Sequence, residues 1–395
     1  MPNEQLTSFL LLPELKLMSV KRIRNRAYEY NLVKESKFEV CPKCATKSSK
    51  VHDRRWITVK DAPIHGKIKI FKILKRRFRC VNCKSVFTEP VSGINKGARI
   101  TQRLQRHILW SCENFTDLKK VRRDTECGNK TIYNRLYQQL ELEHREQRKA
   151  HWPKTIGIDE HSWLKNKDRG HREFATVFVD YKGKRIREVA EGKTAADLHA
   201  AVGYIPGRER VKNVVMDLCA PYKSFVQNFF PNADIIADKF HVLRLLHPAI
   251  NRRRKGITGD KRKNPLRKML LKNGAKLHPF ERKAIWTWLN DHPELKEIYF
   301  YKEAMHRLYR CKGYARAKSS LINLLDQMAS SKVSEIKTLR RTLQRWSEQI
   351  LNYFKNRITN ARTEGFNNVA KLVQKRAFGY RNFGNYRLRL LYASR

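Results

Sequence analysis

Three carboxylates far apart in the chain stand where strand and helix patterns would bring them together. Asp159 closes the apolar run Ile156-Gly157-Ile158, Asp217 closes Val214-Val215-Met216, and Glu364 lies in Asn360-Ala361-Arg362-Thr363-Glu364-Gly365-Phe366-Asn367-Asn368. Two aspartates at adjacent strand ends repel each other unless a proton or a cation lies between them. Mg²⁺ fits that place best, because it takes oxygen ligands and leaves positions open for phosphate and water. Two such ions, or two Mn²⁺, about 4 Å apart would activate an attacking oxygen and stabilise the leaving one in phosphodiester displacement, with no covalent enzyme intermediate. An isolated strand-end Asp more often caps a turn or helix. Three carboxylates in this order on a basic chain favour metal-dependent phosphoryl chemistry instead.

A second chemistry is written in sulfur. Cys41-Pro42-Lys43-Cys44 and Cys80-Val81-Asn82-Cys83 each place two thiolates on one tight turn, and two such turns together make a tetrahedral cage for a structural Zn²⁺. The other reading is reduced free thiols. The interval 45–79 exceeds the roughly 15 to 20 residues of the common spacing, so hairpins must fill it, and the alternation Lys67-Ile68-Lys69-Ile70 supplies strand signal there. The remaining four of the eight cysteines are scattered, which argues against a disulfide scaffold. His52 reads as a surface or packing residue rather than a further ligand.

The charge balance names the partner. Lys and Arg number 85 against 37 Asp and Glu, a net +48, and with 41% hydrophobic residues the chain is too apolar to be a disordered polycation. The excess charge therefore lies on folded surfaces and must face a polyanion, with nucleic acid ahead of an acidic membrane. Arg76, Arg77 and Arg79 in Lys75-Arg76-Arg77-Phe78-Arg79 are candidate phosphate contacts, or else a solvated strand face. Asn134, Arg135 and Gln138 point away from the apolar stripe Ile132, Leu136, Leu140 and carry donor and acceptor patterns suited to base edges in the major groove. Arg252, Arg253 and Arg254, and the run Lys261-Arg262-Lys263, are further candidate DNA contacts. Trp286, Trp288 and Trp346 would stack on an unpaired base or pack in a core. The tail Phe378-Gly379-Tyr380-Arg381-Asn382-Phe383 would either meet nucleic acid or seal the last helix. The apolar stretch 9–12 is stopped by Pro13, so neither signal peptide nor membrane span is expected, and the location expected is the cytoplasm.

Positioning these groups takes several elements. Residues 1–90 read as small and β-rich, a zinc-ribbon DNA-binding domain. Helical patterns over 101–110, 116–121 and 130–147 within 91–150 suggest a helix-turn-helix. From 152 the order becomes strand 155–159, strand 174–180, strand 185–190, helix 194–202, strand 211–216, helix 221–230 and strand 233–237. That β-β-β-α-β-α-β succession is the order of the ribonuclease H-like fold, a mixed sheet in which the first and fourth strands are neighbours and would present Asp159 and Asp217 side by side. The chain beyond 238 reads as helix almost to its end, closing with the helix 363–376, which Phe366, Val369, Leu372 and Val373 would hold on the core.

The Cys pairs, Val51-His52-Asp53-Arg54, Arg77-Phe78-Arg79-Cys80, Ile156-Gly157-Ile158-Asp159-Glu160, Ala237-Asp238-Lys239-Phe240-His241-Val242 and Glu364-Gly365-Phe366-Asn367 together resemble the bacterial insertion-sequence transposases of the ISL-three family, over nearly the whole chain. The resemblance implies a multidomain α/β protein: a zinc-binding segment, a helix-turn-helix, and a ribonuclease H-like catalytic domain at 151–395 with a helical insertion at about 242–350. It implies Asp159, Asp217 and Glu364 as the metal-binding catalytic trio of a DDE transposase. It implies as partners the terminal inverted repeats and target DNA, both double-stranded, handled by a homodimer or larger synaptic complex in a nucleoid-associated setting. Asp238 and His241 match a family pair three residues apart, which on one helix face would position the active site or simply support it by hydrogen bonding. His161 lies close enough to Asp159 to contact phosphate, with no claim to proton transfer. The rival functions are a DNA-binding regulator with an inactive catalytic domain and a structure-specific DNA nuclease without strand transfer.

Overall fold

Apolar residues two apart along the run that starts at Lys67 drive the first sheet, since alternate side chains of a strand share a face. The computed structural model describes residues 11–114, 117–165, 172–259 and 265–394, so the run Lys261-Arg262-Lys263 lies outside the described residues. The chain divides into two units, Met1–Leu142 and Glu143–Arg395.

The first unit contains β1 (Leu15–Arg24), β2 (Ala27–Lys34), β3 (Glu39–Val40), β4 (Lys47–Ser48), β5 (Val51–Ile64), β6 (Lys67–Arg79) and β7 (Val86–Thr88). Helices α1 (Gln102–Asn114), α2 (Leu118–Thr125) and α3 (Asn129–Arg148) follow, the last running across the division between units. The main sheet has the order β1-β2-β6-β5, with β7 on the far end of β6, and only the β2–β6 pair is parallel. The long β5–β6 hairpin fills the interval between the Cys pairs. Its face buries Val59, Phe71 and Ile73 against Leu32, Leu11, Leu12 and Leu15. Asp61, wholly buried on this hairpin, accepts from the Thr101 hydroxyl at 2.6 Å and pairs with Arg103 at 2.6 Å and Lys69 at 2.7 Å, which ties α1 to the sheet. On α3 the stripe Ile132, Leu136 and Leu140 is buried while Asn134 and Gln138 are exposed.

The second unit begins with β8 (Thr155–Lys165), β9 (Arg172–Asp180), β10 (Arg185–Glu191), α4 (Ala195–Val202), β11 (Asn213–Met216), α5 (Ala220–Phe229) and β12 (Asp234–Ala237). Helices fill the rest: α6 (Lys239–Leu243), α7 (His247–Thr258), α8 (Pro265–Leu271), α9 (Pro279–Asn290), α10 (Pro293–Leu308), α11 (Tyr314–Ala329), α12 (Ser334–Arg345), α13 (Ser347–Asn356), α14 (Ala361–Arg376) and α15 (Phe383–Ala393). The sheet order is β10-β9-β8-β11-β12: three antiparallel strands, then β11 parallel to both β8 and β12. The first and fourth strands of this unit are therefore neighbours, and the architecture is mixed α/β. One sheet face packs on α4, α5 and the later helices through Phe178, Val214, Phe225 and Phe229. The other packs on α14 and α15 through Val177, Val179, Ala370, Tyr386 and Leu390.

Two expectations need correction. Leu372 does not hold α14 on the core but is 56% exposed, because the packed stripe is Phe366, Val369, Ala370 and Val373, at i, i+3, i+4 and i+7. The chain also does not close with α14: the tail turns at Gly379, in the left-handed region at φ 98°, and forms α15. Trp346 takes the core alternative, packed in the cluster shared by α11 to α13. Among the described residues no helix is long and apolar enough to cross a membrane.

Candidate active site and metal centres

Strand register builds the acidic edge. Met216 on β11 stands opposite both Ile158 on β8 and Ala237 on β12, all parallel, so the next residue of each, Asp159, Asp217 and Asp238, emerges at one edge of three adjacent strands. Parallel strands present their carboxyl ends together, which is where open α/β sheets place ligands. The Asp238 backbone N–H donates to the Met216 carbonyl at 2.8 Å, carrying the pairing one step beyond the strand. Asp238 then caps α6: its Oδ2 accepts the His241 backbone N–H at 3.1 Å, and its Oδ1 accepts the Asn360 backbone N–H at 3.1 Å.

His241 closes the cluster. Its Nδ1 lies 2.7 Å from Asp217 Oδ1 and 3.0 Å from Asp238 Oδ2. Those two carboxylates push the imidazole up to about 10, Asp217 most strongly, so it carries a proton between them. For Asp238, burial acts upward, but the bonds from His241 and the Asn360 backbone outweigh it and leave the carboxyl below its ordinary range. Asp159 goes the other way: burial, then the negative charge of Asp217, push it up to about 7. One imidazolium among three carboxylates leaves the edge net negative, which favours a cation beside Asp159 and Asp217.

The donor set suits a divalent ion. The ligand atoms of Asp217, Asp238 and His241 lie within 4.8 Å of one another, and Asp217 Oδ1 is buried without an aligned hydrogen bond even though His241 is close. Carboxylate oxygens match Mg²⁺, and His241, on giving up its proton, would add a nitrogen that also admits Mn²⁺. Glu364 is not in this cluster. It is exposed in the first turn of α14, where Thr363 and Asn367 turn toward the sheet instead. It still sits four residues after Asn360 and three before Asn367, and these two bond Asp238 and Asp159, so it borders the same helix face. α14 lies unusually near β8: a Cβ on Gly157 would stand 2.1 Å from Thr363 Oγ1 and 2.7 Å from the Tyr181 ring.

One residue at this edge carried no role in the sequence reading. Asn367 donates from Nδ2 to Asp159 Oδ2 at 2.7 Å and is buried. The signal was available: a polar amide on the stripe that faces the core, one turn after the acidic residue. His161 is likewise buried rather than turned to phosphate, bonded to Asn367 and to the Tyr386 hydroxyl.

In the first unit, Cys41, Cys44, Cys80 and Cys83 converge, with sulfurs 3.6 Å apart for Cys41 and Cys83 and 3.5 Å for Cys44 and Cys80. A tetrahedron with Zn–S bonds of about 2.3 Å has edges of about 3.8 Å, so the cage fits zinc. The Thr46 hydroxyl, 3.4 Å from the Cys44 sulfur, and the Thr46 backbone hold that thiol down at about 6, which favours the thiolate a metal needs.

The candidate DNA contacts divide sharply. Arg79 and Arg252 are exposed. Arg77 pairs with Asp53 at 2.8 Å near the surface. Arg76 does not face outward: its guanidinium binds the buried Glu89 at 2.7 and 2.9 Å. Arg253 is held by Glu335 at 2.9 and 3.0 Å and by Glu294, and Arg254 is 1% exposed with one bond to Thr258 at 3.0 Å. Arg76 and Arg254 are tied inside the protein, while Arg253 stays about a third exposed with its guanidinium engaged by two carboxylates. Arg135 lines a groove between α1 and α3 with Gln102, Gln105, Arg106 and Gln139.

Known proteins match the sequence of each unit. Residues 156–390 match a family model of the ISL-three group described as transposase, and residues 37–83 match one described as the zinc-finger of transposase IS204/IS1001/IS1096/IS1165. The chain is 25% identical over 360 residues, 88% of its own length and 86% of the relative's, to the transposase for insertion sequence element IS1001 of Bordetella parapertussis.

Proposed function

We propose that this chain, which belongs to the ISL-three family of transposases, cuts and joins DNA at the terminal inverted repeats of its own element by metal-dependent phosphodiester chemistry of the DDE class. The observation that carries this reading is the register that sets Asp159, Asp217 and Asp238 at one edge of three parallel strands. The frame is read as ribonuclease H-like from its strand order. Asp159 and Asp217 would hold Mg²⁺ or Mn²⁺, with Glu364 brought in from α14 as the third carboxylate and Asp238 and His241 in support. When bound, such ions supply the positive charge that makes water a better nucleophile and steadies the leaving oxygen.

The chain's own residues set the geometry of the step. Asp238 ties the strand edge to the start of α14 through the Asn360 N–H, which fixes where the Glu364 turn begins. The protonated His241 holds Asp217 and Asp238 together against their mutual repulsion. In the first reaction the oxygen of water bonds to phosphorus, the P–O3′ bond breaks, and the freed 3′ oxygen takes a proton. In the second, that 3′-hydroxyl bonds to a target phosphorus, the target P–O3′ bond breaks, and the proton passes to the departing oxygen, so no energy source is required. The zinc cage supports the DNA-binding segment, and the three helices after it are read as a helix-turn-helix that recognises the repeat, with Asn134, Arg135 and Gln138 toward the bases. Because two ends are processed together, a homodimer or larger synaptic complex is implied.

Asp217→Asn should bind a labelled repeat end as the natural protein does and lose Mg²⁺-dependent nicking and joining. The expected loss is at least the 10–100-fold that even outer partners of a metal command. Nicking by Asp217→Asn at the natural rate would remove Asp217 from the site. Natural protein that binds the end but never nicks it would make the chain a regulator, and nicking without joining would make it a nuclease.

A further inference from the structure

The buried side of Asp159 is linked to α14 and α15 by side chains whose hydrogen bonds all run in one direction. Gln374 on α14 donates from Nε2 to the Ser162 carbonyl at 3.1 Å, and a carbonyl only accepts, so the amide orientation is fixed. The same nitrogen donates its second proton to the Tyr386 hydroxyl at 3.1 Å, which leaves the hydroxyl proton for His161 Nε2. Asn367 Nδ2 faces the Asp159 carboxylate, so its Oδ1 faces the imidazole, and the proton of a neutral His161 ring sits on Nδ1 with Nε2 left to accept from Tyr386. Nδ1 donates to Asn367 Oδ1 at 3.2 Å, which turns the amide so that Asn367 Nδ2 donates to Asp159 Oδ2 at 2.7 Å. Tyr386, His161, Asn367 and Asp159 are all buried, and the Tyr386 ring is stacked on Trp163. A backbone carbonyl anchors one end of the relay and a carboxylate the other, so neither amide can flip without setting an oxygen against an oxygen.

We propose that Asn367 is a positioning residue for Asp159, and that Tyr386, acting through His161, keeps the Asn367 amide turned toward it. This rests on reading Asp159 as a metal-binding carboxylate. Asp159 Oδ1 accepts the neighbouring Glu160 N–H at 2.8 Å, and the Asn367 bond to Oδ2 fixes the plane of the group, which lies close to the like charge of Asp217. A carboxylate held in one plane meets a cation without first being ordered. The relay joins α14 and α15 to the acidic edge, so the two helices that cover the sheet also aim its first carboxylate.

The test uses the full-length, zinc-loaded chain and Mn²⁺ as probe, with binding followed by calorimetry without DNA and thermal unfolding measured alongside. Asn367→Ala should weaken Mn²⁺ binding about 10–100-fold. Tyr386→Phe, which keeps the ring and removes only the hydroxyl, should weaken it less and in the same direction. The double variant should be no weaker than Asn367→Ala alone, because Tyr386 acts only through Asn367. Natural Mn²⁺ affinity in Asn367→Ala, or two losses that add in the double variant, would overturn the proposal. If Asn367→Ala does not fold, Tyr386→Phe decides alone, and natural affinity in it overturns the relay. Asp159→Asn keeps the two ideas apart. Natural Mn²⁺ binding and cleavage in that variant would sink the metal reading itself, whereas loss there with no change in Asn367→Ala would sink only the positioning role.

Discussion

Among the arginines, residue type proved a weaker guide than partner. Arg76 and Arg79 stand three apart in one basic run, yet Arg76 neutralises the fully buried Glu89 while Arg79 is exposed. Sequence spacing hides this, because Glu89 arrives from beyond β7, thirteen residues on, as a cross-strand neighbour of β6. Arg76→Ala leaves a buried carboxylate uncompensated and should cost about 3 kcal/mol or more of stability, read as a lower melting temperature. Arg79→Ala should leave melting unchanged, weaken DNA binding uniformly across sequences, and reduce the slope of log affinity against log salt by roughly 1. The opposite pattern, Arg79 lowering stability and Arg76 lowering the salt slope, would reverse the two assignments. The carboxylates were more legible than the cations. An apolar run followed by Asp marks the strand end for Asp217, but β8 runs on to Lys165, so Asp159 lies inside its strand and the register with β11 brings it beside Asp217. That Glu364 borders the edge while Asn367 touches it turns on rotation about α14, for which the one sequence signal is the amide's place on the core-facing stripe.

At the scale of elements, close approach between α14 and β8 is what lets a helix reach the acidic edge. Gly157 makes that approach possible, for any Cβ there would meet Thr363 and Tyr181. Gly157→Ala should therefore displace α14, lower the melting temperature of the second unit and reduce cleavage, with zinc content unchanged; full activity and natural melting would show that the contact is easily relaxed. The sheet strands of the second unit and the helices between them could be read from periodicity, whereas most helices beyond 238 were legible only as one long helical stretch. α15 could not, because Gly384 and Asn385 are poor helix formers and its stripe of Tyr386, Leu390 and Leu391 has meaning only against a sheet face already formed. The same helix brings Arg387 to Glu188 on β10, joined there by His144 and Tyr204. Burial pushes the Glu188 carboxyl up, but His144, Arg387 and Tyr204 together hold it at about 2, below its ordinary 4.5. A depressed native pKa means stability that is fully present above 4.5 and lost as pH falls toward 2. Unfolding measured across that window should show the loss, and Arg387→Met should be less stable at pH 7 with a shallower fall in acid; an identical acid profile in Arg387→Met would break the link.

For the whole molecule, a net charge of +48 made a polyanionic partner legible at once, and the family match fits it. The segment bounds near 90 and 150 came from changes of pattern, and such changes do not reveal ties like those of Asp61, which bind residues on either side of 90 into one unit. Domain limits drawn from pattern miss buried polar bonds because those bonds have no period. The proposed function requires residues near 159, 217 and 238, with the Glu364 turn of α14 brought in beside them, to hold divalent ions at one place. Iron-directed cleavage reads this most directly: with Fe²⁺ in place of Mg²⁺ on zinc-loaded protein, peroxide and ascorbate generate radicals that cut the backbone beside the ion. The expected fragments end near 159, 217, 238 and 364, and excess Mg²⁺ suppresses them. Fragments that miss 159 and 217, or that persist undiminished in excess Mg²⁺, would contradict a divalent-ion centre at the strand edge.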